Sequence, residues 1–237
     1  GSIHFAILYT QSMQPPSIRA WFDPRRIAEE YRVAFRTPGY VVLMLISVIV
    51  LCGALYVNFW AIDQATEEAG PQIEDLILSN FPAVEVDGFF VYGTFTVIVL
   101  AALIIFARPR SIPFVVHGLT LFMVARSGFT LLTHLGPPEA LYTSDFGNTI
   151  TDAFFGSDQF FSGHTGMTFL GALAYWRVPW IRTFFMAASL YFVAIVLLGH
   201  IHYSIDVASA FCITYCIYRI ALWAFEREYG LFVSDIS

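Results

Sequence analysis

The stretch that decides the fold is residues 40–62, YVVLMLISVIVLCGALYVNFWAI, a run without a single charged side chain. A bilayer hydrocarbon core of ~30 Å is crossed by about 20 residues of helix, so this run matches one crossing. Working outward, residues 88–106, 112–134, 160–176, 180–198 and 203–225 meet or approach the same length and character. Arg177-Val178-Pro179 joins the fourth and fifth runs and leaves room only for a tight helical hairpin. Composition agrees. Of 237 residues, 57% are hydrophobic and 13% charged, against about 25% charged in a soluble domain. The expected fold is an all-α polytopic membrane protein with six transmembrane helices in one bundle.

Charge placement orients that bundle. There is no lysine, and all 12 basic residues are arginine. Arg19, Arg25, Arg26, Arg32 and Arg36 precede the first run, Arg108 and Arg110 separate the second from the third, and Arg177 and Arg182 lie at the hairpin. Arg219 and Arg227 close the sixth. With six spans these fall on one side, the cytoplasmic one by the positive-inside rule, and both termini share it. The opposite loops are acidic, with Asp63, Glu67, Glu68, Glu74, Asp75, Glu85 and Asp87 in one and Glu139, Asp145, Asp152 and Asp158 in the other. Residues 17–36 mix five arginines with Trp21, Phe22, Ile27, Tyr31 and Phe35, as an amphipathic helix on the cytoplasmic surface would; a plain positive flank anchoring the first span fits the same residues. The expected layout is a cytoplasmic tail with this segment (1–38), a six-span catalytic membrane domain (39–228) and a C-terminal cytoplasmic tail (229–237). A net charge of −6 without basic runs interleaved with aromatics gives no sign of a nucleic-acid partner. Cys52, Cys212 and Cys216 lie inside apolar runs and read as small buried hydrophobes.

Three features carry chemistry. Arg126 sits inside the third run, on its outer half. A guanidinium at that depth is costly unless paired or wetted, so a functional role is the default hypothesis, with a structural salt bridge as its rival. Asp158-Gln-Phe-Phe-Ser162-Gly163-His164-Thr165 lies at the outer mouth of the fourth run. Hydroxyls and open backbone N–H groups at a helix start form an anion site, Gly163 admits a ligand close to the main chain, and His164 is placed to give a proton to a leaving oxygen. His202-Tyr203-Ser204-Ile205-Asp206 opens the sixth run. On a helix His202 and Asp206, four apart, share a face, so the carboxylate orients one ring nitrogen and the other serves as nucleophile. In the six-span layout all three open on one side. A metal site built from His164, His200, His202 and a carboxylate is the rival reading; the arginine and the Ser-Gly-His context suit an oxyanion better. His117, near the inner start of the third run, reads as a packed structural histidine.

These motifs resemble those of the sphingomyelin synthase family, a branch of the type 2 phosphatidic acid phosphatase superfamily. The resemblance runs from Arg126 through threonines into Pro137-Pro138, then through Asp158 with Ser162-Gly163-His164-Thr165, to His202-Tyr203-Ser204-Ile205-Asp206-Val207. Ser204 stands where that family has threonine, and Ser157 where it usually has glycine. The resemblance implies that His202 attacks phosphorus, Asp206 orients it and His164 protonates the departing alkoxide. Arg126, Asp158, Ser162, Gly163 and Tyr203 are then the substrate and phosphate-binding residues. No metal or cofactor is implied.

One arginine plus a helix end matches the single charge of a phosphodiester better than the two of a phosphomonoester, because unmatched charge in low dielectric is expensive. The expected reaction takes a phosphocholine- or phosphoethanolamine-type group from a membrane phospholipid and passes it to ceramide, diacylglycerol or water. A lipid phosphate phosphatase is the alternative, and a membrane transporter the alternative of another class. Oligomerisation is left open. Tyr142, Phe146, Phe154, Phe155, Phe160 and Phe161 are candidates to cage a choline ammonium or to form an interfacial aromatic belt.

Overall fold

Backbone N–H and C=O groups find no water partner in hydrocarbon, so a chain of this composition satisfies them within helices. The computed structural model describes residues 16–138 and 160–236. Among these residues there are helices and no strand. Two short elements, α1 (Ile18–Trp21) and α2 (Pro24–Arg36), precede the bundle. Asp23 starts α2 by accepting the Arg25 N–H at 2.9 Å, with Pro24 in the first turn, where a missing N–H costs nothing. Gly39, at φ 80°, turns the chain into α3 (Tyr40–Glu67), a left-handed conformation that favours glycine. There follow α4 (Asp87–Phe106), α5 (Ile112–Leu132), α6 (Gly163–Ala174), α7 (Pro179–Leu198), α8 (Ser204–Ala224) and α9 (Glu226–Ile236).

Among the described residues, five helices are long and apolar enough to cross a membrane: α3, α4, α5 with the turn before it, α7 and α8. The fourth expected span is instead α6, a helix of 12 residues, about 18 Å tall at 1.5 Å per residue. It starts late because the residues before it are drawn into other bonds: the Phe161 carbonyl accepts from Arg126 and the Ser162 N–H donates to the Asp206 carbonyl. Bundle packing is tight around α6. A Cβ on Gly166 would lie 2.7 Å from Phe122 and 2.9 Å from Thr214, and one on Gly171 would lie 2.7 Å from Phe185. Small residues of this kind let helices approach without a water-driven hydrophobic effect.

The ends differ from expectation in two further respects. Residues 17–36 form two helices rather than one surface helix, and the first enters the bundle: Trp21 is fully buried and its indole N–H donates to the Ile104 carbonyl at 3.2 Å. The Arg108 guanidinium lies 4.7 Å from the Trp21 ring and donates to the Ala20 carbonyl. At the other terminus, where a tail was expected, α9 runs to Ile236, and its Phe232 is buried against Phe114 and Tyr175. All three cysteines are exposed rather than buried. An apolar run does not say which face looks inward, since lipid tails are as apolar as the core. His117 is a packed histidine, its Nε2 3.2 Å from the Ser47 hydroxyl and its ring stacked on Phe225.

At the end of the bundle where α5 finishes and α6 and α8 begin, two connections cross. The Gly70 N–H donates to the His134 carbonyl at 2.9 Å, and a Cβ on Gly136 would meet the Gly70 carbonyl oxygen at 2.3 Å. That neighbour is backbone and cannot rotate away. Gly136→Ala should therefore lower stability by about 1–3 kcal/mol, the usual cost of overpacking, read as a lower midpoint in thermal unfolding in detergent. Gly53→Ala, with nothing within 4 Å of the added methyl, should show no such loss.

Candidate active site

The α7–α8 turn sets the first part of the site. His200 adopts a left-handed backbone at φ 51°, and the Val196 carbonyl then accepts both Ile201 N–H at 2.8 Å and His202 N–H at 3.4 Å. His202 is thereby folded back against the end of α7. It lies in this turn, two residues before α8, and not on a helix as its spacing to Asp206 suggests. The pair still meets, because Asp206 occupies the third position of α8: its Oδ2 accepts the Tyr203 N–H at 3.0 Å and lies 3.5 Å from His202 Nδ1. The carboxylate therefore caps the helix and faces the imidazole at once. Asp206 is fully buried, and His202 is 4% exposed.

The second part is the start of α6. Its cap residue, Ser162, is fully buried, gives its N–H to the Asp206 carbonyl at 3.3 Å and its hydroxyl to Thr165 Oγ1 at 3.3 Å. One backbone bond thus ties the Ser-Gly-His-Thr motif to the His-Asp motif. His164 follows in the first turn, with its ring 4.5 Å from that of Phe90 and 5.2 Å from that of Phe192.

Arg126 supplies the third part. Near the end of α5 and 5% exposed, it donates from Nε to the Phe161 carbonyl at 3.2 Å and from Nη1 to Asn58 Oδ1 at 3.4 Å. A Cβ on Gly163 would sit 3.1 Å from Arg126 Nε. Glycine here is what lets the guanidinium lie against the α6 N-terminus, adding a full positive charge to the positive end of the helix dipole. The other described arginines lie with α1 and α2, at the α4–α5 and α6–α7 turns, at the far ends of α7 and α8, or in α9. Among the described residues, Arg126 is the arginine at this end of the bundle.

Tyr203, a candidate substrate ligand, is buried, and its hydroxyl donates to the Gly136 carbonyl at 2.8 Å while accepting from the Ile73 N–H at 3.3 Å. Of the candidate cage, Phe161 is fully buried against Phe122 and Phe129, so its ring is core. Asp158, Ser157, Tyr142, Phe146, Phe154 and Phe155 lie outside the described residues. Among the described residues no three His, Cys, Asp or Glu side chains are grouped as a metal would need.

Two polar contributors were not singled out from the sequence. Asn58, which meets Arg126, is the one side-chain amide in residues 40–62, and that oddity was a readable signal. Asp75 accepts from the Ser204 N–H at 2.8 Å and hydroxyl at 2.7 Å, and from the Ile77 and Leu78 N–H groups. Burial pushes its carboxyl upward, but these donors outweigh burial and hold it below the ordinary aspartate value. Nothing in the sequence separates it from the other acids of its loop.

An apolar cavity of about 340 Å³ opens beneath His164. It runs between α4, α5, α6, α7 and α8 past Thr94, Ile98, Leu119 and Met167 to Tyr175.

A family model described as PAP2 superfamily C-terminal matches residues 156–223, the stretch holding both histidine motifs. The match supports the PAP2 superfamily, and with it a lipid phosphatase or phosphotransferase type of function, without distinguishing its branches. No match was found among curated proteins or among solved structures.

Asp206→Ala removes the acceptor of the Tyr203 N–H together with the His202 partner, and should cost about 1–2 kcal/mol, as loss of a helix cap does. His202→Gln leaves that cap intact and should unfold near the wild-type midpoint. Paired thermal melts of the two variants check this.

Proposed function

We propose that the chain is a membrane phosphotransferase acting on lipid phosphodiesters through a phosphohistidine at His202, in the manner of sphingomyelin synthases. The observation that carries this reading is the bond from Ser162 to Asp206, which brings the helix end bearing His164, with Arg126 of α5 lying against it, beside the His202–Asp206 pair. Nucleophile, orienting carboxylate, proton donor and anion site then serve one phosphoryl group.

In the first step the imidazole Nε2 of His202 bonds to phosphorus. The bond from phosphorus to the glyceryl oxygen breaks, and His164 gives that oxygen its proton. As positive charge builds on the His202 ring, Asp206 compensates it across Nδ1. Arg126 and the α6 N-terminus hold the non-bridging oxygens. In the second step the hydroxyl of ceramide, diacylglycerol or water attacks phosphorus, His164 takes its proton, and the nitrogen–phosphorus bond breaks. Donor and acceptor differ only in the alcohol, so one site serves both halves.

Two features favour a lipid diester. The cavity beneath His164 is apolar and has that histidine in its wall, which suits a substrate with a hydrocarbon chain. Arg126 matches the single negative charge of a diester. The site end lacks the further arginines that cluster at the other end of the bundle, which the positive-inside rule would place in the cytoplasm. On that reading α6 serves as a short fourth span, both termini are cytoplasmic, and the site opens on the non-cytoplasmic face.

The test incubates purified protein with phosphatidylcholine, phosphatidylethanolamine or phosphatidate, with and without ceramide, and follows the lipids by mass spectrometry. Diacylglycerol release from the two diesters is expected, with new headgroup-bearing sphingolipid when ceramide is present. His202→Ala should lose about 10³-fold or more of turnover while remaining folded. Fast phosphate release from phosphatidate with both diesters untouched would replace this reading by a phosphatase.

A further inference from the structure

The loop between α3 and α4 reaches across the site end and grips the start of α8. Asp75 divides its two oxygens. Oδ1 accepts the Ile77 N–H at 2.8 Å and the Leu78 N–H at 3.1 Å, which shapes the loop around it. Oδ2 accepts the Ser204 N–H at 2.8 Å and the Ser204 hydroxyl at 2.7 Å. Ser204 is the first residue of α8, where a backbone N–H has no intrahelical partner. A carboxylate there is also favoured by the helix dipole. Two residues earlier stands His202, and two residues later stands Asp206. The same loop donates the Ile73 N–H to the Tyr203 hydroxyl, so it holds consecutive residues of the segment that separates the pair.

We propose that Asp75 is a positioning residue for the His202–Asp206 pair, fixing the distance and angle between imidazole and carboxylate by clamping Ser204. His202 sits in a turn, so no helix geometry fixes its angle to Asp206. The segment joining them is held at His202 by the Val196 carbonyl and at Tyr203 by Asp206 itself, and Asp75, buried and four-fold hydrogen-bonded, anchors it at Ser204. Its kinetic consequence rests on the phosphohistidine reading; its geometric consequence does not.

Asparagine at position 75 has one acceptor oxygen and a donor amide, so it cannot serve both the loop and Ser204. Ser204→Ala removes the hydroxyl donor alone, and Ser204→Thr keeps it. Two measurements are made on each variant purified in detergent: kcat and KM on a lipid diester, and the imidazole resonances of 15N-histidine-labelled protein. The His202 signals are assigned by their loss in His202→Gln.

In Asp75→Asn and Ser204→Ala the His202 resonances should move while those of His117 stay, and kcat should fall about 10- to 100-fold, as misplaced reacting groups produce, with KM unchanged. Ser204→Thr should restore both readouts. Unmoved His202 resonances in the folded variants overturn the proposal, and so does a wild-type kcat in both. If Asp75→Asn does not fold, the Ser204→Ala and Ser204→Thr pair decides. If wild-type protein turns over no lipid, the proposed function fails, and the resonances alone decide the role of Asp75.

Discussion

The molecule depends on a single carboxylate. Asp206 is fully buried, accepts the N–H of Tyr203 at the head of α8, faces His202 Nδ1 and, through its own carbonyl, receives the N–H of Ser162 from the neighbouring helix. A buried carboxylate in a bundle of apolar helices is costly unless donors meet it. Here Oδ2 takes the N–H at the start of α8 and faces the imidazole, while Oδ1 is buried with no hydrogen-bond partner among the described residues, and the main-chain carbonyl of the same residue receives the helix carrying His164. The local requirement of a helix cap and the requirement of an oriented histidine are met by the same side chain. Neither can be changed without the other.

The remaining groups are arranged around that point by close approaches. Gly163 admits the Arg126 guanidinium to the mouth of α6, and Gly166 admits Phe122 and Thr214 to its flank. Gly136 and Gly70 let two connections cross backbone to backbone above them. Where each of these glycines stands, a methyl group would meet a neighbour within hydrogen-bonding distance or less. The site is therefore held by the exclusion of volume as much as by the bonds it makes.

Much of this was legible in the chain. Apolar run lengths give the crossing helices to within a few residues, and the positions of Arg126, Ser162–Thr165 and His202–Asp206 at run ends put them at one end of the bundle. What could not be read has physical causes. The shortness of α6 was hidden because apolar residues continue from Phe160 to Trp176; its start is set by hydrogen bonds to Arg126 and Asp206, distant in sequence. Asp75 was hidden because its partner, Ser204, lies 129 residues away, and a row of acids in one loop carries no mark of which is clamped. The inward and outward faces of α3 and α8, and so the exposure of the cysteines, leave no periodic signal when lipid replaces water as the solvent.

The terminal helices matter to the interior in a way their distance from the histidines conceals. Tyr175, just past the end of α6, lines the far end of the apolar cavity and is packed edge-on by Trp21 from α1 and Phe232 from α9. Two rings contributed from opposite ends of the chain thus back the residue that lines the cavity there. Measured along α6, a hydrocarbon tail starting at His164 would travel about 17 Å at 1.5 Å per residue before meeting the Tyr175 ring. Whatever occupies that space meets a ring that α1 and α9 hold in place.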